Sequence, residues 1–123
     1  MKRILLYLVL VLLLLGVVGC SRCSSGGERV AEIVFIDQAV ICPLVKKTID
    51  STWVELGNAV GDRDIMVKRI HKDRSGNVAR KYMKIKATGL LPAIYFFDGN
   101  GELVEFLAGE QSSDAIVAVL DSR

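Results

Sequence analysis

The sequence predicts one α/β domain with a mixed sheet held between helices, a three-layer α/β/α sandwich. Two observations carry this. From Val30 onward, strand-like apolar runs alternate with helical ones in the order β-α-β-α-β-β-α. The last two strands are separated only by Gly99-Asn100-Gly101, a hairpin turn, whereas the earlier strands are interleaved with helices, which together imply a mixed sheet covered on both faces.

The first nineteen residues stand outside that domain. Lys2 and Arg3 precede fifteen apolar positions, Ile4 to Val18, and small residues end the stretch at Gly19-Cys20. The apolar run fits an export signal and falls short of the roughly 20 residues of a membrane-spanning helix. Residues 1–19 are therefore read as a signal peptide. Residues 20–29, with "SRCSSGGER" after Cys20, are read as a small, polar, glycine-rich tether containing Cys23. The folded unit is expected over residues 30–123.

Within it, "VAEIVFIDQAV" is rich in Val and Ile and reads as a buried strand. Pro43 then marks the first turn of a helix, where a missing N–H costs nothing. Val45, Ile49, Thr52, Trp53 and Leu56 recur at helical spacing, and Gly57 offers a stop. "DIMVKRIH" reads as a second strand, and "SGNVARKYMKI" as a short helix with Val78, Tyr82 and Ile85 turned inward. "AIYFFD" and "ELVEFLAG" form the hairpin, with Leu103 and Leu107 expected on one face beside Glu105. "SSDAIVAVLDS" begins with a capping serine and places Ile116, Val119 and Leu120 on its apolar side.

Four local patterns resemble known families. "VVGC" resembles the lipobox of bacterial lipoproteins, which implies diacylglyceryl on the sulfur of Cys20, cleavage before it, and a domain exported and anchored at the periplasmic or extracellular face of a bacterial membrane. "VFIDQAVICPLVKK", "GLLPAIYFF" and "FFDGNGELVEFLAG", in this order, resemble the thioredoxin-like family over nearly all of residues 31–121. That resemblance places Cys42 on the attacking cysteine of the C-x-x-C motif and Pro92 on the cis-proline that faces it. Val45 falls where the family has its resolving cysteine, so the site implied is monothiol, C-P-x-x, with Lys46 on the basic residue that often follows. Asp37 stands one residue out of register with the family's buried acid, and one step along a strand turns a side chain to the other face.

The chemistry of Cys42 can also be argued without the family. A cysteine beside Pro43 at a helix start faces unpaired N–H groups and the positive end of the helix dipole, both of which favour thiolate. Such a nucleophile attacks disulfides, which an exported compartment supplies. With Val45 in place of a second thiol, the mixed disulfide must be resolved from outside. Cys23 is a poor internal resolver, because the tether enters the first strand at the end opposite Cys42. Protein clients or thiol-disulfide partner proteins are the expected partners, with the membrane reached through the N-terminal lipid. The alternative is a non-redox binding or scaffold module that uses the groove beside Pro92.

No cofactor and no metal is expected, since His71 is the only histidine and no metal-ligand pair, phosphate loop or Ser-His-Asp set is present. Once Lys2 and Arg3 are removed, 14 basic residues face 14 acidic ones, so the balance does not argue for nucleic acid. A local excess of cations between Arg63 and Lys86 reads as a solvated helix face and strand edge. Its alternative is a docking patch for an acidic partner or anionic lipid headgroups.

Overall fold

The structure, a computed structural model, describes residues 29–122. The expected signal peptide and tether, with Cys20 and Cys23, lie outside the described residues. The elements are β1 (Val30–Asp37), α1 (Pro43–Val60), β2 (Met66–His71), α2 (Gly76–Ile85), β3 (Ala93–Asp98), β4 (Leu103–Ala108) and α3 (Ser113–Asp121). Their order is the predicted one.

The sheet runs β2-β1-β3-β4. β1 and β2 are parallel, and the β1–β3 and β3–β4 pairs are antiparallel. β1 and β3 occupy the centre, which is why each has an unbroken apolar stretch, Ile33–Ile36 and Ala93–Phe97, in place of polar alternation. On one face, Ile33, Phe35, Ile94 and Phe96 pack with Ile49 and Leu56 of α1 and Ile116 and Leu120 of α3. On the other, Val34, Ile36, Tyr95 and Phe97 pack with Ala79 of α2 and, at its margin, Tyr82 and Met83. The structure thus has helices on both faces.

Four sequence expectations are corrected. α1 passes through Gly57 and stops at Gly61, whose φ of +51° suits glycine and whose N–H closes on the Gly57 carbonyl at 3.0 Å. Gly57 is exposed, so a glycine there leaves no gap in the core. Val45 was expected inward but is 37% exposed. In α2 the inward residues are Ala79, Tyr82 and Met83, while Val78 and Ile85 are exposed. Finally, the β3–β4 register shifts at Phe96/Phe97, so Leu103 opposes Phe97 while Leu107 opposes Ile94. The extra residue sends Leu103 and Leu107 to opposite faces.

Candidate functional site

The site is built where β1 ends. Cys42 is the N-cap residue of α1, in extended conformation (φ −60°, ψ 147°), with Pro43 opening the helix. Its carbonyl accepts the Lys46 N–H at 3.0 Å, the first bond of the helix. Its side chain makes no capping bond and is exposed, and it is the one free cysteine among the described residues. Val40 and Leu44 stand beside it in sequence, 74% and 77% exposed. Val45, 37% exposed, is less than one helical turn further on.

The segment leading to Cys42 is fastened from the side. Asp73, in the turn between β2 and α2, accepts the N–H groups of Ala39 at 2.9 Å and Val40 at 2.8 Å. The Lys72 N–H reaches the Asp37 carbonyl at 2.7 Å. Gln38 donates to the Val40 carbonyl at 3.1 Å. The Ala39 and then the Val40 N–H hold the Asp73 carboxyl below the usual aspartate value. A group with a lowered folded-state pKa stabilises the fold above its unfolded value, near 3.8, and loses that contribution as pH falls through the folded value. The Ala39 and Val40 amides are therefore expected to exchange with solvent faster, after correction for intrinsic rates, once pH drops below about 4. Asp73→Ala should bring that faster exchange to pH 7. Amide exchange followed by NMR checks both, and unchanged protection in the variant would sink the fastening role.

Beneath α1 lies a charged cluster of which the sequence singled out only Asp37 as a candidate site residue. Asp37 is 1% exposed and shares the sheet face of Ile33 and Phe35, the face that α1 covers. The one-residue offset noted in the sequence therefore does not turn it away from α1. One carboxylate oxygen of Asp37 accepts from Arg69 Nε at 2.7 Å and pairs with its Nη2 at 2.6 Å. The other pairs with His71 Nδ1. Arg69 also donates to Asp50 of α1 at 3.1 Å, and Asp50 pairs with Lys46. Lys46 and then Arg69 hold the Asp50 carboxyl below its usual value. The Arg69 guanidinium lies 5.0 Å from the Trp53 ring centroid and 5.6 Å from that of Phe35. A cleft of about 260 Å³ opens here, lined by Gln38, Lys46, Asp50, Arg69, His71 and Arg74 among others.

Arg69, counted in the sequence with a solvated basic stretch, is thus a structural cation with a side chain 27% exposed. Its signal was available: it stands two residues before His71 on one strand face, opposite an apolar strand ending in aspartate. Asp73 offered no comparable signal, because its partners are backbone amides 33 and 34 residues away.

Pro92 is buried, and the Leu91–Pro92 peptide bond is cis. Its carbonyl accepts the N–H of Gly109, a residue with φ +83°, at 2.8 Å. Because Ala93 pairs with Ile36 across the β1–β3 ladder, Pro92 lies at the end of the sheet where β1 runs out toward Cys42. Register therefore gathers Asp37, Pro92 and the 38–42 segment at one end. No group of three or more potential metal ligands occurs among the described residues.

No family model matches the chain, and no curated protein does. Solved structures do match. Thioredoxin from Aeropyrum pernix superposes with a TM-score of 0.58 over 77% of this chain and 76% of its own, at 18% identity. Thioredoxin-2 of a malaria parasite, described as a component of the parasite's protein secretion machinery, gives 0.56 over 75% and 82%, at 16% identity. A thioredoxin-like protein from Clostridium perfringens gives 0.54 over 86% and 89%, also at 16% identity. At these identities the likeness concerns the fold.

Proposed function

From the premise that the chain has a thioredoxin-like fold, we propose that it is an exported, lipid-anchored protein that captures or exchanges disulfides through Cys42 as a single nucleophile. The observation that carries this reading is the placement of an exposed, uncapped cysteine at the N-terminus of α1. The Cys42 thiolate attacks one sulfur of a client disulfide, forming a new S–S bond as the other client sulfur leaves as thiolate and takes a proton from water. Val45 supplies no thiol to resolve this bond from within the chain. A second thiol from another molecule then attacks the Cys42–client bond and frees Cys42. Cys20 supplies the lipid attachment in this reading, and Cys23 remains in the tether.

The test uses residues 28–123, which contain Cys42 alone, and two copies of a short peptide joined by one disulfide, so that the displaced peptide thiol leaves the adduct. The mixed disulfide is expected to accumulate, visible by intact mass, and to disappear only when a small thiol is added. In Val45→Cys the adduct should be resolved internally, leaving reduced peptide and a disulfide between Cys42 and the introduced thiol. Absence of adduct with the native protein, where the unfolded chain forms it, would overturn the reading.

A second reading is favoured by the exposed apolar residues Val40, Leu44 and Leu90, the last 63% exposed. These would suit a non-redox binding or scaffold module that holds an extended client segment near Pro92. Retention of client binding in Cys42→Ser would select it.

A further inference from the structure

Helix α2 carries the strongest charge imbalance among the helices. Ala79, Tyr82 and Met83 face the sheet, while Arg80, Lys81 and Lys84 are exposed on the opposite side. Val78 and Ile85 flank Lys81 three residues before and four after, 48% and 51% exposed. Among the described residues none of Arg80, Lys81 and Lys84 enters a salt bridge, whereas Lys46, Arg63, Lys68 and Arg69 all do. No acidic residue occurs between Asp73 and Asp98. Across the sheet the balance reverses: α1 and α3 together carry Lys46 and Lys47 against Asp50, Glu55, Asp114 and Asp121. A domain with nearly balanced charge is therefore polarised from one layer to the other.

A helix with cations on its outer face and apolar side chains at their flank matches an anionic bilayer surface. The cations meet headgroup phosphates while the apolar side chains enter the boundary with the acyl chains. Chain length permits the contact. The nine residues between Cys20 and Val30 span up to about 30 Å when extended. An eight-residue strand such as β1 is about 26 Å long. A lipid on Cys20 thus leaves the bilayer free to lie along the sheet's α2 side, and the charge distribution selects that side. We propose that the exposed face of α2 rests on anionic lipid headgroups. This rests on the lipid-anchored reading above. It would set α1, with Cys42 at its start, on the side of the sheet away from the lipid.

The test uses the full chain purified from membranes and reconstituted either in phosphatidylcholine vesicles or in vesicles containing phosphatidylglycerol. Brief acylation of amines followed by peptide mass analysis reads each lysine. Lys81 and Lys84 are expected to label at least about threefold less in the anionic vesicles, with Lys47 unchanged and the difference erased by molar salt. Equal labelling in both vesicles would overturn the contact. So would protection that appears only when envelope proteins are added, which would assign the face to an acidic protein partner. The mass of the N-terminal peptide reports separately whether Cys20 carries lipid. Lipid on Cys20 without protection of α2 would remove the contact and leave the anchor, and protection without lipid would do the reverse.

Discussion

Cys42→Ser is expected to abolish mixed-disulfide formation while leaving the fold as stable as before or slightly more so. The two halves of this expectation come from the same geometry. The Cys42 side chain is exposed and makes no capping bond, so its removal opens no cavity and breaks no hydrogen bond. Serine is among the favoured N-cap residues, and a bond from an N–H of the first turn to Oγ would add about 0.5–1 kcal/mol. The chemistry cannot survive the exchange, because a hydroxyl at neutral pH is a far weaker nucleophile than a thiolate. Release of a coloured thiolate from an aromatic disulfide measures the reaction, and thermal unfolding measures the stability. In the unsubstituted residues 28–123, the folded form should react faster than the form unfolded in urea. A slower folded form would mean that the N-terminus of α1 gives the sulfur no advantage.

Arg69→Ala should be the most destabilising of the polar substitutions near the site. Asp37 is buried and relies on Arg69 for two contacts to one of its oxygens. Removing one partner of a buried pair leaves a charge in a poor environment, commonly at a cost of about 3–5 kcal/mol. Here His71 still holds the other oxygen, and Arg69 is itself partly exposed. A loss of about 2–3 kcal/mol is the reasonable expectation after that discount. For a domain of this size it corresponds to a fall in Tm of roughly 10–20 °C. Packing contributes too, since the guanidinium lies against Trp53 and Phe35. The double substitution Asp37→Leu with Arg69→Met removes both charges together. It should be clearly more stable than the sum of its single substitutions, with a coupling of at least about 1 kcal/mol. Additive losses would show that the pair does not act as a unit.

The sequence made the layers legible because β1 and β3 are built on the unbroken apolar runs Ile33–Ile36 and Ala93–Phe97 and the helices between strands have their own period. It also drew attention to Cys42, Pro43 and Pro92, which lie at one end of the sheet. Three features escaped for physical reasons. Two glycines four residues apart, Gly57 and Gly61, could each end α1, and only the backbone at Gly61 adopts a positive φ. The shifted register at Phe96/Phe97 reverses the facing of Leu103, and a strict period of two has no way to register one added residue. In α2, Val78 and Ile85 outrank Ala79 in hydrophobicity, yet the small alanine is the residue that lets the helix approach the sheet. The charged cluster was partly visible: Asp37 drew attention, but its counter-cation was lost within a run of basic residues most of which face solvent.

Trp53 gives the protein a reporter of its own. It is the only tryptophan, its ring meets Phe35 edge-on at 5.1 Å, and Arg69 covers it. It stands eleven positions along the helix from Cys42, about 16 Å at 1.5 Å per residue. An adduct on the sulfur is therefore too far away to quench the indole by contact. A change in emission when a small disulfide leaves only a methylthio group on Cys42 would instead report strain passing along the helix from Lys46 and Asp50 to Arg69, so a single fluorescence titration with that reagent can distinguish an inert scaffold beneath the thiol from one that responds to its occupant.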